Sequence, residues 1–444
     1  MAEAAATGDQ QQLDEVVQFT SELIQFDTTN HGGGQGNERP AAEYAAAKLA
    51  EVGIESTILE KAPGRSNVVA RIPGSDPSAD ALLVHGHLDV VPADPADWTV
   101  DPFSGEIRDG VVWGRGAIDM KNMDAMILAT VRNWKRHGIQ PRRDIVIAFT
   151  ADEEASAEYG AEFLAEEHKE LFEGCTEGIS ESGGYTFHAD NGMRIYPIGA
   201  GERGTAWLNL TAEGRAGHGS KANPDNAVSH MSDTMLRLAN HQWPVRLSPT
   251  VRAALTELGK LYNVDIDFDD PNFDVDAVID QFGNARRLVE STVRNSTNPT
   301  VFKAGYKVNV IPERAYAQVD GRMVPGAEDE FIAAMNELTG PRVDWEFHHR
   351  EVPLTAPVDS PTFNAICASV KRFDPDGHPI PICLSGGTDA KQFSRLGITG
   401  YGFSPVKMPP GFDFQWLFHG VDERVPVEAL HFGVQVLDDF LRKA

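Results

Sequence analysis

The amino-acid sequence predicts an α/β fold with a mostly parallel sheet, interrupted by a smaller α+β domain of the ferredoxin-like, split-βαβ kind. Apolar runs of strand length alternate with amphipathic helical segments in the first part of the chain, which is typical of a parallel α/β layer. The pattern changes near Gly199 and returns to α/β character from about Thr355. A chain of 444 residues is also too long for one compact core, so two domains are expected.

The N-terminal part predicts helices and strands that alternate along the chain. Its helical segments carry apolar stripes at helical spacing, and Gly53 ends the second of them. The predicted helices are Leu13–Phe26, Arg39–Val52 and Met120–His137, and the predicted strands are Ser66–Ile72, Ala81–His85, Val111–Trp113 and Asp144–Thr150.

The middle of the chain predicts a strand-helix-strand-strand-helix-strand order, which is the content of a split-βαβ domain. A Pro- and Asp-rich stretch (244–275) connects the first helix to the later strands. We therefore expect one domain from 1–200 and 347–444 and a second from 201–346. The elements predicted for the second are strand 205–214, helix Ala227–Leu238, strands Tyr306–Val310 and Ala315–Val319, helix Glu328–Leu338 and strand Arg342–His348.

The composition excludes several classes of partner. There are 39 Lys and Arg residues against 66 Asp and Glu, a formal charge of -27. Such a charge repels nucleic-acid phosphates and anionic lipid, so neither nucleic acid nor a membrane is an expected partner. The three cysteines form no C-x-x-C pair, and no secretion signal or membrane-spanning apolar stretch is visible. A cytoplasmic location is therefore expected.

Five acidic or histidine clusters, taken in chain order, suggest a site for two metal ions. They are HGHLDVVP (85–92), GRGAIDMK (114–121), ADEEASAEYG (151–160), ISESGG (179–184) and FHGVDERV (418–425). Each places an oxygen or nitrogen ligand beside a strand-like run or a glycine turn. The run before Glu153 and Glu154 delivers two carboxylates to the C-terminal end of a buried strand, where sites of α/β sheets lie.

Each cluster also has an ordinary structural interpretation. Asp119 precedes a helix and could simply be its N-cap, which is the favoured interpretation when this residue is considered by itself. The Glu153-Glu154 pair could be a solvated acidic turn, and His419 a lone core or surface histidine. His85 competes with His87 as a ligand, but strand alternation makes it the expected buried structural histidine.

Another string, Gly199–Gly204, has the G-x-G-x-x-G spacing of a dinucleotide site. That fingerprint must open a helix after a strand, whereas strand-like residues follow this string. We therefore expect a hinge between the domains. The sequence contains no G-x-S-x-G or P-loop string. It therefore lacks the key motif of an α/β serine hydrolase and that of a P-loop NTPase.

Together, the five clusters resemble the M20 metallopeptidase family, which includes aminoacylase, acetylornithine deacetylase, succinyl-diaminopimelate desuccinylase and carboxypeptidase S-like enzymes. The resemblance implies that the first domain is a zinc-peptidase catalytic domain holding two Zn²⁺, with Co²⁺ or Mn²⁺ as substitutes. It also implies a cis peptide between Asp119 and Met120. The implied ligands are His87 and Glu181 for one metal, Glu154 and His419 for the other, and Asp119 as the bridge between them; Glu153 is the implied general base and Asp89 the partner of His87.

The resemblance extends to the second domain, which it implies is a lid and dimerisation domain. His218, in AGHGS, corresponds to a histidine that binds the substrate carbonyl oxygen and that comes from the partner subunit in dimeric members. Asn309 and Arg322 correspond to residues that bind substrate oxygen and carboxylate. Gly386 and Gly387 belong to a glycine-rich substrate loop (384–390).

The activity implied by the resemblance is hydrolysis of the amide bond of an N-acyl amino acid or small peptide through a water bound by the two zinc ions. The alternative within this class is a dipeptidase or carboxypeptidase that acts on short peptides. A non-catalytic binding protein with the same fold is a third possibility, although the implied ligands and base are all present. A homodimer through the second domain is a further expectation.

Overall fold

The computed structural model describes residues 9–412 and 414–444, and the chain divides into two compact units. The first unit contains the described residues up to Ala200 together with Ala356–Pro381 and Thr388–Ala444. The second contains Gly201–Thr355 and Ile382–Gly387. Residues 1–8 lie outside the described residues. They belong to the N-terminal segment in which the sequence shows no secretion signal.

The described part of the chain contains eleven α-helices and nineteen strands, numbered separately in chain order. The α-helices are α1 (Gln10–Ile24), α2 (Arg39–Ala50), α3 (Lys121–His137), α4 (Ala161–Glu167), α5 (Ala227–Asn240), α6 (Pro249–Tyr262), α7 (Val275–Ile279), α8 (Glu328–Thr339), α9 (Pro361–Phe373), α10 (Ala390–Ser394) and α11 (Val427–Lys443). The strands are β1 (Ser56–Ala62), β2 (Arg65–Ile72), β3 (Ala81–His87), β4 (Ile107–Arg108), β5 (Val111–Trp113), β6 (Ile145–Thr150), β7 (Cys175–Ser180), β8 (Phe187–His188), β9 (Arg194–Glu202), β10 (Gly204–Glu213), β11 (Gly217–His218), β12 (Ser296–Ala304), β13 (Val310–Ile311), β14 (Arg314–Met323), β15 (Val343–Arg350), β16 (Leu354–Thr355), β17 (Gly377–Leu384), β18 (Thr399–Gly402) and β19 (Arg424–Pro426).

The main sheet of the first unit has the strand order β1-β2-β6-β3-β7-β18-β9. Its central strands β6, β3, β7 and β18 run parallel to one another, as the sequence predicts. The margins are antiparallel, because β1 pairs with β2, β2 with β6, and β18 with β9 in that sense. The parallel centre brings the C-terminal ends of β3, β6 and β7 to one edge of the sheet.

Helices cover both faces of this sheet. On one face, α3 lies against β3 and also packs with α1 and α11. A Cβ added to Gly86 would meet Asp124 Oδ1 of α3 at 2.2 Å, so the glycine permits this close approach. On the other face, a buried cluster joins Leu83 and Val146 of the strands to Leu164 of α4 and Phe393 of α10. The strands are therefore buried on both sides, which explains their nearly continuous apolar sequences.

The second unit is built on an antiparallel sheet of strand order β12-β14-β10-β15. In chain order its main elements are β10, α5, β12, β14, α8 and β15, which is the βαββαβ arrangement predicted for this domain. Apolar side chains of α5 and α8, including Met231 and Phe331, pack on Leu208, Leu210 and Val319 of the sheet. The sheet residues between these are more exposed, so this sheet has one buried face.

One strand predicted for the second unit is wrong. The sequence predicts a strand at Tyr306–Val310, but the strand at this place in the fold is β12 (Ser296–Ala304), and residues 305–309 form a turn and its flanks. Tyr306 is 84% exposed and Val308 102% exposed, so their alternation with polar residues does not mark a buried face. Val310 belongs instead to the short strand β13, which pairs with β11.

Two further elements differ from the sequence-based expectation. The stretch 244–275 contains helix α6, which Ser248 caps by accepting a hydrogen bond from the backbone N–H of Val251. Strand β5 matches the predicted Val111–Trp113 but pairs with β4 and β19 in a small antiparallel sheet, outside the main one. No helix in the described part of the chain combines the length and apolar character required to cross a membrane.

Candidate metal centre

The sequence-predicted ligands of the first unit meet at the C-terminal edge of its parallel strands. His87 is the last residue of β3, Glu153 and Glu154 follow β6, and Glu181 follows β7. Because β3 pairs in parallel with both β6 and β7, these three strand ends lie side by side. The hydrophobic strands thus place three acids and one histidine at the edge where sites of α/β folds form.

Asp119 lies between the two histidines of the site. Its Oδ1 is 3.3 Å from Nε2 of His87, and its Oδ2 is 3.3 Å from Nε2 of His419. His419 Nε2 is also 3.0 Å from Oε2 of Glu154. On the other side, His87 Nε2 is 3.9 Å from Glu153 Oε2 and 4.0 Å from Glu181 Oε1. The two oxygens of one carboxylate therefore face different histidines.

Two overlapping groups of these side chains have ligand atoms within 4.8 Å of one another. His87, Asp119 and Glu154 form one group, and His87, Glu153 and Glu181 form the other. Oε1 of Glu154 is buried and has no hydrogen-bond partner among the described atoms. Histidine nitrogens and carboxylate oxygens are the donor set that Zn²⁺ and related divalent cations take. The residues present therefore fit a metal centre.

The competing N-cap interpretation of Asp119 is wrong. Met120 occupies the N-cap position of α3, and no described side chain caps this helix end. The Asp119 carboxylate instead faces the two histidines, and its side chain is only 8% exposed. The peptide bond between Asp119 and Met120 is cis, as the resemblance implies.

Asp89 connects the end of β3 to the turn that follows β6. Nδ1 of His87 lies 2.9 Å from the backbone carbonyl oxygen of Asp89 and 3.6 Å from its carboxylate. The carboxylate itself accepts hydrogen bonds from the backbone N–H groups of Glu153 and Glu154, each at 3.1 Å. From the sequence we expect the Asp89 carboxylate to hold the His87 imidazole, but the backbone carbonyl of Asp89 makes this contact. A backbone carbonyl orients a ligand histidine in the same way.

His85 is buried and contacts the ring of Phe393 at 4.9 Å between centroids, and it belongs to neither group of candidate metal ligands. Burial lowers its pKa to about 3, so the ring is neutral at ordinary pH. This agrees with the structural role that strand alternation predicts.

The electrostatics of the site reflect an excess of negative charge. Burial raises the pKa of Glu153 well above its usual value, and the charge of Glu181 adds to this. Burial, then the charge of Asp119, likewise raises the pKa of Glu154 and of Glu181. Hydrogen bonds to Asp119 and Glu154 raise the pKa of His419 to about 10. Bound cations would offset this concentration of carboxylates.

Glu423 supports the segment that carries Asp119, and the sequence alone predicts no role for it. It is fully buried, pairs with Arg115 at 2.7 Å, and accepts hydrogen bonds from the backbone N–H groups of Gly116, Ile118 and Asp119. Its position in FHGVDERV is the available signal, but the contact spans more than 300 residues of chain.

Asp389 is a second buried acid at this edge of the sheet. Its Oδ2 accepts a hydrogen bond from Thr150 Oγ1 at 2.6 Å, and its Oδ1 has no partner among the described atoms. Burial raises its pKa to about 7. Thr150 is the register partner of His87, so Asp389 lies next to the strand end that carries the histidine.

His218 and Asn309, both predicted to bind substrate, lie next to each other in the second unit. They lie at the small two-stranded antiparallel sheet of β11 and β13, where His218 pairs with Val310 and Gly219 N–H donates to Asn309 O. Nδ1 of His218 accepts a hydrogen bond from the backbone N–H of Ser220 at 3.1 Å. In a neutral ring the proton is therefore on Nε2, which makes that nitrogen a donor.

Arg322, another predicted substrate-binding residue, is already paired within the second unit. Its Nε and Nη2 donate to the two oxygens of Asp320 at 2.7 and 3.2 Å. Arg203, which none of the sequence motifs indicates, is 7% exposed and donates to Ser296 Oγ at 3.1 Å. Burial lowers the pKa of Arg203 to about 10, and the charge of Arg322 contributes.

Gly386 and Gly387, the predicted glycine loop, are exposed and also belong to the second unit. A Cβ at Gly386 would meet no atom within 4 Å, so packing does not require glycine there. The G-x-G-x-x-G string, Gly199–Gly204, covers the end of β9 and the start of β10. A strand follows it, so the helix that a dinucleotide fingerprint needs is missing from this place.

Comparison with known proteins gives a consistent result. A sequence profile described as "Peptidase family M20/M25/M40" matches residues 83–443. N-fatty-acyl-amino acid synthase/hydrolase PM20D1 of Xenopus tropicalis is 28% identical over 423 residues, covering 89% of this chain and 79% of that protein. Aminoacylase-1 of Sus scrofa is 26% identical over 416 residues, covering 91% of each.

Solved structures share the fold. The M20 family metallo-carboxypeptidase Sso-CP2 from Sulfolobus solfataricus superposes with a TM-score of 0.71 at 18% identity, covering 97% of this chain and 99% of that one. A dinuclear metal binding peptidase of the M20 family from Bacillus subtilis superposes with a TM-score of 0.62 at 13% identity, covering 98% and 100%.

Proposed function

The chain belongs to the peptidase family M20/M25/M40, and we propose that it is a di-zinc hydrolase that cleaves the amide bond of N-acyl amino acids. The observation that carries this proposal is the position of Asp119, whose two carboxylate oxygens lie 3.3 Å from His87 and from His419. With its two oxygens facing different histidines, this carboxylate would be able to contribute a ligand to each of two metal ions. Metal-dependent amide hydrolysis is the chemistry of the family.

We propose that His87, Glu181 and Asp119 hold one zinc ion, and that Glu154, His419 and Asp119 hold the other. The buried Oε1 of Glu154, which lacks a hydrogen-bond partner among the described atoms, supports this assignment, because an unpaired carboxylate oxygen is costly unless a cation satisfies it. The four carboxylates of the cluster carry about the charge that two divalent cations would neutralise. Co²⁺ and Mn²⁺ would take the same ligands.

Two metal ions held by these residues would supply Lewis acidity, which would lower the pKa of a bound water and polarise the substrate carbonyl. Glu153 accepts the proton of the attacking water and passes it to the leaving amine. Burial raises the pKa of Glu153, which makes its carboxylate a stronger base for accepting the proton. Asp89 holds the backbone of Glu153 in place through its hydrogen bond.

We propose that residues 201–346, which lie within the second unit, form a lid and dimerisation domain that contributes substrate-binding groups. His218 would donate through Nε2 to the oxyanion, which the acceptor role of its Nδ1 supports. Asn309, Arg322 and the backbone N–H groups of Gly386 and Gly387 would bind the substrate carboxylate. Exposed Tyr306 and Val308 favour contact with a second copy. The cytoplasmic location expected from the sequence stays a prediction.

Glu153 is the residue whose replacement tests the mechanism. We expect Glu153→Ala to retain two metal ions per chain and to lose about 10²–10⁴-fold in kcat on N-acetyl-Met, because general acid-base catalysis contributes that much. Elemental analysis and steady-state kinetics on the same preparation give both values. Glu158→Gln, an exposed acid of the same turn, is the matched control and should retain wild-type activity.

A Glu153 variant with a near-normal rate would remove this residue from the base role. Purified wild-type protein without zinc, cobalt or manganese would contradict the two-metal centre. The runner-up activity, a dipeptidase or carboxypeptidase, is separated by kcat/KM on N-acetyl-Met against a matched dipeptide. A strong preference for the dipeptide would favour that alternative.

A further inference from the structure

The loop after α1 places one buried amide beside the proposed centre. Asn30 is 5% exposed, and its backbone N–H donates to the carbonyl of Val90 at 2.9 Å, three residues after His87. Its side-chain Oδ1 accepts a hydrogen bond from the backbone N–H of Gly32 at 2.9 Å. This acceptor contact fixes which end of the amide is oxygen, so the nitrogen must point to the other side.

The amide nitrogen of Asn30 bridges two buried carboxylates. Nδ2 lies 2.9 Å from Oδ2 of Asp89 and 2.9 Å from Oδ1 of Asp152. An amide nitrogen carries two hydrogens, so it can donate to both oxygens at once. A carboxylate side chain in this position could not replace the amide, because it has no hydrogen to donate to either acid.

These two carboxylates hold the turn that carries Glu153 and Glu154. Asp89 accepts the backbone N–H groups of both glutamates. Asp152 directly precedes Glu153, adopts a positive φ of 67°, and accepts from Ser156 Oγ at 2.6 Å. The turn is therefore attached to the end of β3 by Asp89 and is folded around Asp152, and Asn30 is the bridge between these two acids.

A buried cation balances part of this charge. Nη2 of Arg65 donates to Asp152 Oδ1 at 2.9 Å and to Glu38 Oε1 at 2.8 Å, and the guanidinium side chain is fully buried. Two carboxylates bridged by one nitrogen repel each other, so their closeness depends on donors and cations that stay in place. Arg65 reaches Asp152, whereas the Asn30 amide donates to both Asp152 and Asp89.

We propose that Asn30 is a positioning residue of the reaction, which sets the placement of Glu153 and Glu154 through Asp89 and Asp152. This inference rests on the proposed function, since it takes Glu153 as the base and Glu154 as a metal ligand. A change at Asn30 then displaces both glutamates without touching substrate. The effect falls on kcat and on metal affinity, and it leaves KM nearly unchanged.

The test is Asn30→Asp, which keeps the acceptor for Gly32 but replaces the bridging donor with an acceptor. We expect kcat to fall about 10–100-fold and divalent-metal affinity to fall by a similar factor, as for other residues that orient metal ligands. Metal affinity is measured by competition of zinc with a chromophoric chelator, a readout independent of turnover. Should Asn30→Asp fail to fold, Asn30→Ala is measured in the same way.

Asn133→Asp is the matched control, because Asn133 is a buried asparagine on α3, 14 positions beyond Asp119 and thus about 20 Å along the helix. If the Asn30 variant matches Asn133→Asp in both kcat and metal affinity, the proposal is overturned. If wild-type enzyme turns over no amide substrate, the proposed function fails, and metal affinity alone then decides the role of Asn30.

Discussion

Asp374 illustrates how a single carboxylate can couple the stability of the first unit to pH. It accepts hydrogen bonds from Arg194 at 2.6 and 2.9 Å and from Tyr196 Oη at 2.8 Å, and Lys407 Nζ is 3.3 Å away. Burial alone would raise its pKa, but these partners lower it to about 2. Because the pKa of Asp374 is lower in the folded protein than in the unfolded chain, its ionised carboxylate stabilises the fold at any pH above the unfolded-state pKa. This stabilisation is lost as the pH falls towards 2.

Asp374→Asn should therefore lower the free energy of unfolding by roughly 2 kcal/mol at pH 7, because hydrogen bonds to charged groups are lost. The difference from wild type should shrink as the pH falls below about 4. Urea unfolding at a series of pH values checks both points. Asp376→Asn, whose side chain is 91% exposed, is the control and should differ little at any pH. A wild-type advantage that persists unchanged at low pH would contradict the assignment.

The predicted metal-site residues share one property, which is that they lie next to a strand end or a glycine turn. His87, Glu153 and Glu181 each follow an apolar run, so the local pattern predicts where they face. Glu423 and Asn30 act through contacts with distant segments and have no such local pattern. Residues of that kind become visible only when the fold brings the segments together.

Among the elements, α6 gives a direct test of local sequence signals. Ser248 is its N-cap, and Ser248→Ala should lower the free energy of unfolding by about 1 kcal/mol, because the N–H of Val251 loses its acceptor. The shift in the urea midpoint of the second unit measures this. Thr256→Ala, an exposed change within the same helix, should stay within about 0.5 kcal/mol. Equal effects of the two changes would contradict the cap.

Sequence patterns predict elements well where an apolar face is buried and poorly where it is not. The sequence places α1, α2, α3, β2, β3 and β6 within a few residues of their observed bounds, because their apolar residues enter the core. Strand β12 has a largely polar sequence, so the apolar pattern does not predict it. The exposed Tyr306 and Val308 alternate with polar residues as in a strand, although they do not form one. The capping pair Ser248-Pro249 is a sequence signal that could have revealed α6.

For the whole molecule, we expect metal removal to lower thermal stability. The carboxylates at the strand ends repel one another when no cation lies between them, and a ligand that binds only the folded protein at 100 times its Kd stabilises it by about 2.7 kcal/mol. Thermal unfolding with a chelator, and again after zinc is restored, measures the shift. His87→Ala is the control and should respond far less. If the thermal unfolding midpoint of the wild-type protein is the same with and without the chelator, the metal centre is contradicted.

The C-terminal segments of the first unit lie in its interior. Strand β18 lies between β7 and β9, and α11 packs on α1 and α3, which come from the beginning of the described chain. During synthesis, β3, β6 and β7 leave the ribosome with an open sheet edge and an uncovered apolar face until β18 and α11 are made. The first unit thus completes its fold only after α11 has left the ribosome, and until then its apolar surfaces are exposed to aggregation.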